Sequence, residues 1–156
     1  MKPIQKWLNE YAESHQHPIN ITIHWFCVPL IMLSIIGLLA NIKLNIHLLP
    51  DNPNYNHAGL ILIFCSSIYY YFLSKPLLFG MLPISILMLL IINWLSTLTF
   101  PLWKTCLLIF IFSWISQFYG HKIEGKKPSF FQDIQFLLIG PAWILGFIYK
   151  KLKIKF

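Results

Sequence analysis

Four long stretches of the chain contain no charged residue and are mainly apolar, and they constrain the fold more than any other feature. They extend over residues 14–42, 52–74, 76–103 and 105–120. A helix that crosses a bilayer needs about 20 predominantly apolar residues. Only 11% of the 156 residues are charged, whereas soluble proteins have roughly 25%. The sequence therefore predicts an all-α integral membrane protein, a bundle of four to five spans.

Breaks in these stretches divide a single membrane domain, residues 1–156, into its expected segments. Residues 3–14 have one apolar and one charged side, which predicts a short helix lying at the membrane interface. Pro18 interrupts the chain after this helix, and Asn20 is the expected N-cap of the first span. The expected spans are residues 21–40, 58–73, 77–95 and 102–119, followed by an apolar segment at 134–149 that a central Gly-Pro pair kinks or turns back.

The charged residues favour a lipid partner over a nucleic acid. The formal net charge is +7, and every basic residue is a lysine. Four of these lysines follow the last apolar segment, namely Lys150, Lys151, Lys153 and Lys155. A basic cluster beside a membrane segment is typical of contact with anionic lipid headgroups. We therefore expect membrane lipid as a partner and no nucleic acid.

The number of spans determines which polar segments share a membrane face. Four crossings return the chain to its starting face, so residues 15–24 and residues 121–124 are expected together. If the segment at 134–149 also crosses, six lysines lie on each side; if it re-enters, ten lie on the histidine face and two opposite. The positive-inside bias then predicts a cytoplasmic histidine face, in a bacterial inner membrane or the endoplasmic reticulum.

Three of the six histidines fall within residues 15–24. In one continuous helix His15 and His24 would point in opposite directions, because nine residues rotate the chain by about 900°. A break at Pro18 lets the two rings turn toward one another. His121 and Glu124 are three residues apart and would share one helical face. Imidazole is the commonest metal ligand, and two histidines with one carboxylate are typical of non-haem Fe(II) oxygenases.

These residues also have simpler explanations, which the spacing leaves open. A histidine at a membrane boundary is often only an interfacial polar group. His17 lies two turns, about 10 Å, before His24 in a continuous helix, so it ranks lower as a ligand of the same ion. Glu124 can pair with a neighbouring lysine in a solvated ion pair of little consequence. Spacing alone leaves a metal site and a polar membrane edge as comparable alternatives.

Two motifs resemble a known family. The segments YAESHQHPINITIHWFCVP and WISQFYGHKIEGKKPSFFQDIQFLLIGP are similar, in matching order, to the small membrane proteins of the 2-hydroxy fatty acid dioxygenase family. A fungal member of this family acts in phytosphingosine breakdown. The resemblance implies metal ligands at His15, His24 and His121, with Glu124 beside the last. His17 occupies a more variable position of the family.

The resemblance implies Fe(II)-dependent α-oxidation, in which a 2-hydroxy fatty acid and O2 give the acid one carbon shorter, CO2 and water. The electron balance is self-contained, because the oxidative decarboxylation releases four electrons and O2 accepts four. Lys122 or Lys126 is expected to attract the substrate carboxylate, and the acyl chain is expected to lie between the spans. The alternatives are a non-catalytic membrane haem or metal carrier and a lipid-binding protein with incidental histidines.

Overall fold

The computed structural model describes residues 4–44, 56–125 and 136–156, and within these ranges every regular element is a helix and no strand is present. Its helices are α1 (Ile4–Ala12), α2 (Pro18–Leu39), α3 (Ala58–Leu73), α4 (Lys75–Ser96), α5 (Leu102–Glu124) and α6 (Ile139–Lys151). Three of them, α2, α4 and α5, are long and apolar enough to cross a membrane. The apolar helix α3, predicted as a further span, has 16 residues and is about 24 Å long, shorter than the roughly 30 Å hydrocarbon core.

The outer surface of the bundle is apolar. Phe26, Phe64, Phe79 and Phe112 are 68%, 66%, 71% and 69% exposed, and they lie on four different helices. Exposed apolar surface of this extent is rare on soluble monomers, but it suits contact with lipid acyl chains. The prediction of a helical membrane bundle is confirmed.

α2 and α5 form the antiparallel centre of the bundle, and two glycines allow them to approach closely. Gly37, near the end of α2, lies against Cys106, near the start of α5. Gly120, near the end of α5, lies against Asn20, near the start of α2. At either glycine an added β-carbon would collide with the facing side chain. The start of α2 and the end of α5 therefore lie at the same end of the bundle.

The first turn of α2 differs from the prediction. Pro18 begins the helix instead of separating two segments, because its fixed φ and missing N–H suit the first helical position. His17 is the N-cap, and its Nδ1 accepts a hydrogen bond from the Ile19 N–H at 3.2 Å. Asn20, which we expected to be the cap, is a fully buried residue within the first turn.

α1 packs its apolar side against α6. The buried residues of this side are Ile4, Leu8 and Tyr11, and they belong to the same apolar cluster as Ile139 and Trp143 of α6. The amphipathic pattern of α1 suits burial against a helix as well as it suits a membrane interface. The apolar side that the sequence assigned to the interface thus contacts protein.

The Gly-Pro pair of the last apolar segment lies at a helix start. Gly140 and Pro141 fall in the first turn of α6 and not at the centre of a kinked helix. Proline is tolerated in the first turn because the N–H groups there have no partner within the helix. The pair therefore does not bend α6.

Both ends of α6 contact the turn between α3 and α4. Next to its first residue, the Leu138 carbonyl accepts a hydrogen bond from the Tyr70 hydroxyl at 2.7 Å. Near its last residue, the Tyr149 hydroxyl donates to the Pro76 carbonyl at 2.5 Å. Tyr70 and Pro76 lie on either side of that turn, so α6 runs along one end of the bundle. This is the end at which α2 starts.

Candidate metal centre

Three buried histidines meet at the end of the bundle where α2 starts and α5 ends; we call them the histidine site. His15 lies between α1 and α2, His24 in the second turn of α2, and His121 in the last turn of α5. One ring nitrogen of each lies within 4.8 Å of the other two. The ring centroids of His15 and His24 are 4.2 Å apart, and that of His121 is 5.1 and 5.0 Å from them. The rings are 4%, 1% and 4% exposed.

Backbone carbonyls orient two of these rings. Nδ1 of His15 donates to the Tyr11 carbonyl at 2.6 Å, and Nδ1 of His24 donates to the Asn20 carbonyl at 2.9 Å. A carbonyl oxygen only accepts, so each neutral ring carries its proton on Nδ1 and has its lone pair on Nε2. Nε2 of His15 is buried without a hydrogen-bond partner. Metal-binding histidines typically have one nitrogen held in this way and the other directed at the ion.

Aromatic neighbours enclose His15 and keep it uncharged. Its ring stacks on Tyr11 with centroids 4.1 Å apart and planes 7° from parallel, and Trp143 lies 5.5 Å away. Burial lowers the pKa of His15 to about 4, although the hydrogen bond to the Tyr11 carbonyl opposes the shift. The ring is therefore neutral at pH 7, which is the protonation state that binds a metal ion.

Glu124, predicted among the metal ligands, is not part of the group of three ring nitrogens, and its carboxylate makes contacts with the start of α2. Its Oε1 accepts the Gln16 N–H at 3.0 Å. Its Oε2 accepts the His17 N–H at 2.8 Å and the Asn20 side-chain N–H at 3.2 Å. α5 extends past its expected end to Glu124 and stops at Gly125, whose φ of 73° favours glycine. The carboxylate thus joins α5 to the segment that carries His15.

The other candidate residues have different surroundings. The ring of His17, predicted as a weaker ligand, caps α2 and is not part of the histidine site. Lys122 is exposed in the last turn of α5, beside His121. Lys126 lies outside the described residues. Sequence reasoning missed the contacts of Asn20, for which the only signal was an amide inside an apolar stretch.

A narrow pocket borders His24 between α2, α5 and the start of α6. Val28 and Ile31 of α2, Trp114 and Gln117 of α5, and Gly140 of α6 contribute to its wall. About 20 Å³ is open to the centres of water-sized molecules, and roughly 10–15 Å³ suffices for one water. A water molecule therefore fits next to His24.

A known protein family matches most of the chain. The family described as 2-hydroxy-palmitic acid dioxygenase Mpo1-like matches residues 1–152, which is nearly the whole chain. No curated protein and no solved structure matches the chain. The resemblance of the two histidine motifs to a dioxygenase family is thereby confirmed.

Proposed function

The chain belongs to the 2-hydroxy-palmitic acid dioxygenase Mpo1-like family, and we propose that it is an Fe(II)-dependent enzyme for the α-oxidation of 2-hydroxy fatty acids. The substrate and O2 give the fatty acid one carbon shorter, CO2 and water. Atoms and electrons balance without a further reductant. The observation that carries the proposal is the histidine site, with three imidazole nitrogens within 4.8 Å of one another.

His15, His24 and His121 are the proposed metal ligands. The set fits a metal ion because the rings are buried and close together, and because Nε2 of His15 has no other partner. Imidazole accepts iron, zinc, copper and nickel, so the ligands alone do not select iron. Zinc has no redox chemistry, whereas a dioxygenase must pass electrons to O2, and this supports Fe(II). When bound, the iron would supply that electron transfer.

Lysines near the histidine site are proposed to attract the substrate carboxylate. Lys122 is exposed one residue after His121, and Lys126 follows it closely in the sequence. A carboxylate arriving from the membrane surface meets these charges before it reaches the buried rings. Lys122 and Lys126 thus have a role in substrate capture and none in metal binding.

We propose that the acyl chain occupies an apolar cavity between α2, α3, α4 and α6. About 60 Å³ of this cavity is open to the centres of water-sized molecules, and its lining is almost entirely apolar. Val28 and Gly140 border the pocket at His24, and the next residues, Pro29 and Pro141, border the cavity. Its wall continues along α2 to Ile36, about 18 Å beyond His24. An acyl chain in one leaflet extends through half of the hydrocarbon core, about 15 Å. The length of the cavity wall is therefore comparable to the length of an acyl chain.

The test is reconstitution of detergent-purified protein with Fe(II) without oxygen, followed by 2-hydroxypalmitate in air and mass spectrometry of the products. We expect the acid one carbon shorter, without added 2-oxoglutarate, and its loss in His15→Ala, His24→Ala and His121→Ala. Protein reconstituted with Zn(II) is the matched control and should give no product. A Soret band with no product would indicate a haem carrier, and absence of both metal and product would leave a lipid-binding protein.

A further inference from the structure

We propose that Glu124 and Asn20 position the three histidines and do not bind the metal themselves; this inference rests on the proposed function. The two side chains are joined by the Asn20 Nδ2–Glu124 Oε2 hydrogen bond of 3.2 Å. Together they contact every segment that contributes a histidine. The pair therefore sets the distances among the three rings.

The segment that carries His15 is held on both sides of that residue. Before it, the Ser14 carbonyl accepts a hydrogen bond from Asn20 Nδ2 at 3.1 Å. After it, the N–H groups of Gln16 and His17 donate to Glu124 at 3.0 and 2.8 Å. His15 itself belongs to neither α1 nor α2, so no regular helix fixes its backbone. These three hydrogen bonds add to the bond from the His15 N–H to the Ala12 carbonyl at 3.1 Å and restrain the segment on both sides.

The same pair connects the two helical histidines. The backbone carbonyl of Asn20 accepts the Nδ1–H of His24 at 2.9 Å, so the turn of α2 that the Asn20 side chain anchors also orients this ring. Glu124 lies three residues after His121 on α5, so its anchoring fixes the last turn of that helix. Gly120 makes room for Asn20, since an added β-carbon there would collide with its amide.

Hydrogen bonds already occupy most of the roughly four acceptor positions of the Glu124 carboxylate, so a metal ion would compete with them. Both carboxylate oxygens already accept hydrogen bonds, three in all, and bonds to a charged acceptor are about twice as strong as neutral ones. Two of the donors are backbone N–H groups just before α2, which would lose this acceptor if the carboxylate turned away. The geometry thus favours a positioning role over a ligand role.

The test compares Glu124→Gln with Glu13→Gln, which removes the same charge from an exposed position two residues before His15. Glutamine at 124 keeps the shape but turns one acceptor oxygen into a donor group. Two readouts are needed: hydrogen–deuterium exchange of residues 13–17 in metal-free protein, and titration with Co(II), whose visible absorption reports its ligands. We expect faster exchange, a 10–100-fold weaker Co(II) affinity and an unchanged spectrum at saturation, for Glu124→Gln only.

Three results would overturn the inference. A changed Co(II) spectrum at saturation would make Glu124 a ligand. Faster hydrogen–deuterium exchange with an unchanged Co(II) affinity would mean that the restraint on residues 13–17 does not position His15. Unchanged exchange would mean that Glu124 does not hold that segment. Wild-type protein that binds Co(II) but forms no product with Fe(II) would refute the proposed reaction while leaving the positioning role testable. Asn20→Ala combined with Glu124→Gln should cost no more affinity than the larger single effect, because the residues act as one unit.

Discussion

His15 and His17 are identical residues two positions apart, yet the structure gives their rings different environments. The ring of His15 is 4% exposed and stacks on Tyr11, whereas the ring of His17 accepts a hydrogen bond from the first turn of α2. Asparagine is a good N-cap but has no imidazole nitrogen with which to bind a metal ion. We therefore expect His17→Asn to bind metal stoichiometrically, and His15→Asn to lose at least tenfold in affinity. Metal analysis after reconstitution measures both, and equal losses would contradict these assignments.

The sequence could predict which histidines meet but not what Glu124 and His17 do. The even number of crossings brings residues about a hundred positions apart to one face, and the structure places His15, His24 and His121 together. The roles of the other two depend on where α2 begins. Because Pro18 is the first helical residue, His17 becomes the cap and Asn20 turns inward to meet Glu124. Local spacing did not contain that information.

At the scale of helices, two glycines set the separation of α2 and α5, and they can be tested separately. Gly37→Ala and Gly120→Ala each place a β-carbon against the facing helix. Overpacking costs about 1–3 kcal/mol, whereas alanine's helix propensity alone would gain up to about 1 kcal/mol. We expect both variants to unfold at lower temperature in detergent, followed by circular dichroism. A more stable Gly37→Ala would show that the helices are not in close contact there.

Only one of these glycines lies near the histidine site. Gly120 faces Asn20, while Gly37 lies 17 residues after Asn20 on α2, about 25 Å away. We expect Gly120→Ala to weaken Co(II) binding and Gly37→Ala to leave it within about twofold of wild type. Equal loss of metal in both variants would mean that general destabilisation, and not local displacement of Asn20, disturbs the site.

The length of the apolar stretches could predict which helices span the membrane. It could not predict which helices α1 and α6 pack against. The hydrophobic pattern of α1 fits an interface as well as a protein contact, and only the position of α6 decides between them. The Gly-Pro pair likewise fits a kink or a helix start, because proline is tolerated in the first turn and disruptive inside a helix. Long-range hydrogen bonds from Tyr70 and Tyr149 place α6 at one end of the bundle. Such contacts leave no periodic signal in the sequence.

For the whole molecule, the course of α6 favours one orientation in the membrane. With both ends of α6 at the end where α2 starts, seven lysines of the described residues fall on the histidine face and two on the other, so the positive-inside bias predicts a cytoplasmic histidine face. In a Cys65→Ser background, Lys153→Cys and Glu13→Cys should react with an impermeant maleimide only in permeabilised bacterial cells. Lys104→Cys should react in intact cells. Labelling of Lys153→Cys and Glu13→Cys from opposite sides would show that α6 crosses.

If the acyl chain lies in the apolar cavity, the size of the cavity should limit the acyl-chain length of the substrate. Met88 of α4 is 9% exposed and lines the cavity, whereas its neighbour Leu87 is 57% exposed on the outer surface. Tryptophan at position 88 should fill the far part of the cavity, while Leu87→Trp adds the same bulk outside it. Each buried methylene contributes about 0.8 kcal/mol, so displacing two should lower kcat/KM for 2-hydroxypalmitate roughly tenfold relative to a shorter 2-hydroxy acid.

Competition between 2-hydroxypalmitate and 2-hydroxylaurate in one reaction, followed by mass spectrometry, measures this ratio directly. Because both substrates meet the same enzyme, partial loss of folded protein or of metal cancels from the ratio. A shift in Met88→Trp but not in Leu87→Trp would locate the acyl chain in the cavity. An unchanged ratio with retained turnover would place the chain along the outer surface of the bundle, while leaving the reaction at the histidine site intact.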